Sequence, residues 1–113
     1  MNSKKFKMIS SKKEIQLIFR TGKKFSGKYL NFVYLKDLEN QNYFQLLISI
    51  PKKKIKLAVH RNKIKRRIKS FYYLSKKIKD KSHSVIILYN YFKPVKYVKL
   101  EKDLLLFENL FLK

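Results

Sequence analysis

The sequence predicts an α+β domain, on three observations. Apolar residues recur at helical spacing in three separate segments, and two aromatic and β-branched runs flank a polar connection. A further short run, Ser84 to Tyr89, is apolar almost throughout, as in a strand buried in the middle of a sheet.

The elements follow in order. Ser10 and Ser11 precede a segment in which Ile15, Ile18 and Phe19 share a face, and Ser11 with Glu14 makes a capping-box pattern, so a helix is predicted over 11–21. Gly22 supplies its stop. Lys28 to Lys36 and Tyr43 to Ile50 read as strands joined in a hairpin across Asp37 to Asn42, with Pro51 ending the second. Lys52 to Lys56 is a basic loop, a helix follows over Leu57 to Lys79, and the buried strand comes next. Leu100, Leu104, Phe107 and Phe111 then recur at helical spacing, which predicts a closing helix from about Val98 onward. No repeat or low-complexity linker interrupts the 113 residues, and Gly and Pro number two each, so a single domain over 1–113 is expected.

Charge narrows the function. Against 29 Lys and Arg stand 7 Asp and Glu, a formal +22, and self-repulsion of that size opposes compaction until a polyanion relieves it. Nucleic acid is the leading candidate, because each neutralised phosphate also releases a condensed counterion. Apolar residues make up 45% of the chain, too many for a disordered basic tail. An AT-biased genome would inflate Lys everywhere, but Arg is scarce: of Arg20, Arg61, Arg66 and Arg67, three fall within seven residues. Such clustering points to a site, since the guanidinium fork grips phosphate and stacks on bases. With no Cys there is neither a disulfide framework nor a thiolate metal site, which fits a reducing cytoplasm. The apolar runs fall short of a membrane span, and Met1 to Lys13 lack the apolar stretch of a secretory signal, so the N-terminus is expected to belong to a soluble mature protein.

The helix over Leu57 to Lys79 is the informative segment. At 100° per residue, Leu57, Ile64, Ile68, Phe71 and Ile78 fall within an arc of roughly 80°, a core-facing stripe. Beside it Arg61, Lys65, Lys69, Asn62 and Arg66 occupy an arc of roughly 140°. From Lys52 to Lys79 there are 13 basic residues and no acidic one. A merely solvated helix face mixes signs, because i,i+4 pairs of opposite charge gain about 0.2 to 0.5 kcal/mol and like pairs lose as much. Arg61, Lys65 and Lys69 accept that repulsion, and a bound nucleic acid removes it.

The residues for protein catalysis are sparse. The seven carboxylates are scattered, Glu14, Asp37 and Asp80 lying in different elements from Glu101 and Asp103, so no carboxylate pair for two-metal phosphodiester hydrolysis is visible. His60 and His83 are the only general-base candidates of the usual type. No catalytic residue and no metal ligand is assigned.

Lys53-Lys54 followed by Ala58-Val59-His60-Arg61-Asn62-Lys63-Ile64-Lys65-Arg66 resembles the signature helix of the bacterial ribonuclease P protein family, in which a lysine pair precedes an Arg-Asn-Arg-x-Lys-Arg core with another Arg beyond it. Glu14 to Phe19 resembles the first helix of the family, and the Gly22 turn and the Leu30 to Leu35 strand follow in family order. Lys63 and Lys69 stand where the family carries Arg, and Lys56 where many members have Gly; the first two exchanges keep the charge and lose the fork. Ile15 replaces a common aromatic, while Phe19 keeps its ring.

The resemblance implies a two-layer α/β sandwich with a central, mostly antiparallel sheet and a left-handed β-α-β crossover, similar to the second domain of a small-subunit ribosomal protein. It implies an RNA interface of Lys53, Lys54, Arg61, Asn62, Lys63, Lys65, Arg66 and Lys69, and a cleft for single-stranded leader RNA involving Phe19, Ile15 and Lys12. It further implies a cytoplasmic holoenzyme, an endoribonuclease that removes the 5′ leader of precursor tRNA. There the partners are a catalytic RNA and the precursor tRNA, Mg²⁺ is held by the RNA subunit, and the protein binds no cofactor of its own. The alternative is a structural RNA-binding protein, such as a ribosomal protein or RNA chaperone, without a role in tRNA cleavage. DNA is disfavoured because the basic helix has few short polar base-readers besides Asn62 and no helix at turn spacing before it. A membrane is disfavoured because a sheet is available to cover the apolar stripe.

Overall fold

The computed structural model describes residues 5–9, 11–36, 43–75 and 83–111 of the chain. The elements run β1 (Lys5–Met8), α1 (Lys12–Thr21), β2 (Lys23–Ser26), β3 (Leu30–Lys36), β4 (Tyr43–Ser49), α2 (Ala58–Leu74), β5 (His83–Tyr89) and α3 (Tyr97–Phe111). As its apolar sequence requires, β5 takes the centre of a five-stranded sheet of order β1-β4-β5-β3-β2. It runs antiparallel to β3, with Phe32 opposite Ile87, and parallel to β4, with Leu46 opposite Val85. The outer pairs are β2 with β3, antiparallel, and β1 with β4, parallel. Pairings are therefore divided evenly between the two senses.

The hairpin expected between β3 and β4 is absent, because β5 lies between them. The two strands lack the tight Asn-Gly or Asp-Gly turn that would make them neighbours. The connection itself, 37–42, lies outside the described residues. Helix α2 instead links β4 to β5, the connection that adjacent parallel strands need.

On one face of the sheet, Ile64, Ile68 and Tyr72 of α2 and Leu100, Leu104 and Phe107 of α3 close over Phe32, Leu46, Val85 and Ile87. The Phe107 ring stacks on Phe32 with centroids 4.4 Å apart. This is the helix layer of the expected sandwich, and each fully buried Ile or Leu contributes on the order of 1.5 to 3 kcal/mol. The side chain of Phe111 is outside the described residues.

The opposite face carries α1, whose Ile18 packs with Ile9, Val33 and Ile86. Helices thus cover both faces, because β3 and β5 are apolar on both. Ser11 caps α1 as expected, its Oγ accepting from the Glu14 N–H at 3.4 Å. Glu14 does not complete the box; its carboxylate accepts from Gln45 Nε2 at 3.2 Å, and Gln45 Oε1 accepts from Ser84 Oγ at 2.8 Å. This polar chain ties α1 to β4 and β5. Gly22 ends the helix with φ −73°, its N–H donating to Ile18 O, so no left-handed turn is involved. Glycine is needed there for space: a Cβ would lie 2.5 Å from the Ile18 carbonyl oxygen.

Candidate nucleic-acid interface

Helix α2 presents its flanks to two different grooves. Its inner face is Ile64, Ile68 and Tyr72, with Phe71 partly buried beside them. One member of the sequence stripe falls elsewhere. Leu57 is the N-cap residue and is 57% exposed, while Ile55 two residues earlier is buried in the core. Ile78 lies outside the described residues, as do 76–79 of the predicted helix, and α2 itself ends at Leu74 with Ser75 as its C-cap.

Asn62, Lys65, Arg66 and Lys69 converge on one side. With Val59 they form one wall of a groove of about 810 Å³, whose other wall is Met8, Leu47 and Ile48 at the β1–β4 edge. Asn62 and Arg66 are exposed and make no hydrogen bond or ion pair to any described residue. The groove is cationic on the helix side and apolar on the strand side, a shape that suits a phosphate backbone with sugars or bases against the strands.

Arg61 behaves differently from the others in its arc. Its Nη1 donates to Ile55 O at 2.9 Å and Lys56 O at 2.7 Å, and the side chain is half-buried. The helical wheel explains this: with Ile64 at zero, Arg61 sits at roughly 60°, between Ile68 and Tyr72 on the inner face. Arg61 therefore clamps the loop that carries Lys53 and Lys54, leaving Nη2 and Nε for an outside acceptor. The same loop is pinned by Ile55, 1% exposed, and by the Lys54 and Ile55 N–H groups donating to Pro51 O. Lys54 Nζ donates to Asn90 Oδ1 at 3.2 Å, and Lys53 is exposed.

Lys63 is carried to the other flank. There it lines a groove of about 460 Å³ with His60, Arg67, Lys96 and Tyr97. The Arg67 guanidinium stands 5.1 Å from the centroid of the Tyr97 ring, whose phenol is pushed up by burial and by Glu101 and held back by Arg67. Sequence reasoning grouped Lys63 with the first set and passed over Arg67 and Tyr97. The Arg cluster was the available signal for Arg67; Tyr97 gave none, because only tertiary packing brings α3 to α2.

The three α1 residues share one helix face at i, i+3 and i+7. Ile15 is half-buried against the Ile18 cluster, while Phe19 is 38% exposed and Lys12 is exposed, so neither is spent on the core. Leu47 joins the two regions, packing with the α1 cluster and lining the α2 groove.

Among the described residues, Asp103, Glu108 and His83 have structural work. Asp103 is buried, and its carboxylate accepts from the backbone N–H groups of Lys28, Tyr29 and Leu30 at 3.2, 2.7 and 2.9 Å. Glu108 accepts from Ser75 Oγ. His83 is sealed in the core, its Nε2 bonded to the Tyr72 hydroxyl, and burial pushes the Tyr72 phenol well above its ordinary pKa, so that it stays neutral. Among the described residues no three His, Asp or Glu side chains come together so as to hold a metal ion, and no helix is long and apolar enough to cross a membrane.

Comparison with known proteins bears on the same features. The family model for ribonuclease P matches residues 3–110. A ribonuclease P protein component of Rickettsia bellii is 46% identical over 66 residues, 54% of this chain and 55% of the relative. One of Listeria monocytogenes is 38% identical over 85 residues, 74% of this chain and 70% of the relative. The chain thus spans little more than half the length of the Rickettsia relative. Among solved structures, the RNase P protein of Staphylococcus aureus superposes with a TM-score of 0.74 at 25% identity, covering 88% of this chain and 93% of that one.

Proposed function

The chain belongs to the ribonuclease P protein family, and from that premise we propose that it is the protein subunit of a ribonuclease P holoenzyme. In this role it binds the catalytic RNA and the 5′ leader of precursor tRNA and assists endonucleolytic removal of the leader in the cytoplasm. The carrying observation is the groove in which Asn62, Lys65, Arg66 and Lys69 face outward from a helix free of acidic residues. Lys65, Arg66 and Lys69 neutralise phosphates of the catalytic RNA, to which the Asn62 amide donates, and offset its repulsion of the tRNA, a second polyanion. The clamped loop brings Lys53 and Lys54 to the same RNA, and Arg61 contributes mainly by holding that loop.

The α1 face with Lys12, Ile15 and Phe19 takes the single-stranded leader, its ring stacking on bases with little sequence preference while Lys12 meets the backbone. Only the precursor has a leader, so this contact distinguishes substrate from product. The chemistry belongs to the RNA partner, which holds the Mg²⁺ and supplies metal-assisted phosphodiester hydrolysis. The test is cleavage of precursor tRNA by a bacterial ribonuclease P RNA at low Mg²⁺, with and without this chain. The expected result is a marked gain in cleavage when the chain is added, shrinking as Mg²⁺ rises and screens the RNAs; no gain at any Mg²⁺ concentration contradicts the proposal.

A further inference from the structure

We infer that the loop after β5 carries a base-stacking platform, built on Phe92, for an unpaired nucleotide of the bound RNA. The inference rests on the RNA-binding function proposed above and adds a contact distinct from α1 and α2.

Three rings step outward from the core. Tyr29 is buried, Tyr91 meets it edge-on at 4.8 Å, and Phe92 lies 4.5 Å beyond Tyr91, tilted by 36° and 70% exposed. A single exposed Phe is ordinary on a protein surface. This one is backed by a second ring and held on a tethered loop: Tyr89 OH donates to Lys93 O at 2.6 Å, and the Asn90 N–H donates to Tyr29 O at 2.7 Å. A ring fixed in water in this way loses little further entropy when a base stacks on it.

The surroundings select the partner. Lys93 Nζ is 5.5 Å from the Phe92 centroid and Lys28 Nζ is 5.5 Å from that of Tyr29. Through the Lys54 to Asn90 hydrogen bond the platform is continuous with the basic 52–56 loop. The carboxylate beneath it, Asp103, is buried and engaged by three backbone N–H groups. An exposed ring among cations is the arrangement by which single-stranded nucleic acid is held, the ring taking the base and the lysines the flanking phosphates. A base inside a duplex is already stacked on both faces, so the platform favours unpaired RNA over duplex.

The chain has no Trp, so Phe92→Trp introduces a single reporter. Its emission should be quenched by a short oligouridylate and far less, nucleotide for nucleotide, by a long RNA duplex, whose bases are nearly all stacked on both faces. Phe92→Ala should weaken oligouridylate binding at least about fivefold, the loss of one stacked base, and leave duplex affinity and the salt slope unchanged. Arg66→Ala, by contrast, should weaken both RNAs. Unchanged oligouridylate affinity in Phe92→Ala, with loss in Arg66→Ala, overturns the platform and leaves the RNA-binding reading standing. Absence of binding to either RNA by the unaltered chain overturns both. Loss of binding to anionic phosphatidylglycerol vesicles alone in Phe92→Ala overturns the platform and assigns the ring to a membrane.

Discussion

Asp103 shows how much a single residue decides here. In a chain with 29 basic side chains, this carboxylate is buried against three backbone N–H groups of the turn before β3, and not against a Lys or Arg in the contacts described. Gly27 makes room for it, since a Cβ there would lie 2.5 Å from the Asp103 carboxyl carbon. Asp103→Ala should leave those donors unsatisfied and cost about 3 kcal/mol or more in urea denaturation, at roughly 1 to 3 kcal/mol per orphaned group. A loss under about 0.5 kcal/mol would show that water replaces the carboxylate. The sequence shows Asp103 only as one of seven scattered acids; nothing local marks it as a cap for a turn 75 residues away.

Elements were legible where their pattern is local and illegible where pairing decides. The periodicity of α1, α2 and α3 and the apolar run of β5 are local, and all four are present. Strands β1 and β2, KFKM and KKFS, are four-residue edges rich in Lys, held by pairing to β4 and β3 and not by their own propensity. For the same reason the basic helix is legible as amphipathic, yet the implied RNA interface groups Lys63 with the residues of the opposite flank. Arg61 faces inward, at roughly 60° on the wheel beside Ile68, and Lys63 faces the α3 side, which a wheel of α2 alone does not show. The α1–β2 junction carries a further expectation at this scale. Gly22→Ala, often stabilising elsewhere, should destabilise here by about 1 kcal/mol or more, read as a lower melting temperature, since the new methyl meets the Ile18 and Tyr34 carbonyls and Val33. An unchanged or raised melting temperature would mean that the junction relaxes.

At the scale of the molecule, a +22 chain spans 39 × 28 × 22 Å, and its cations are spread over surfaces on both sides of one sheet. The α2 groove and the α1 face meet at Leu47, so under the proposed function the catalytic RNA and the leader would lie close together around a common edge. Composition made a polyanionic partner legible, and the Arg-Asn-x-Ile-Lys-Arg run made the family legible. Which cations share a groove was not, because that depends on where β1 and β4 lie. The most direct test is the salt dependence of affinity for a bacterial ribonuclease P RNA, comparing the unaltered chain with a Lys65→Ala, Arg66→Ala, Lys69→Ala triple variant. At about 0.7 in log K per log salt for each lost phosphate contact, the account predicts a slope shallower by about 2; a slope equal to that of the unaltered chain would contradict it.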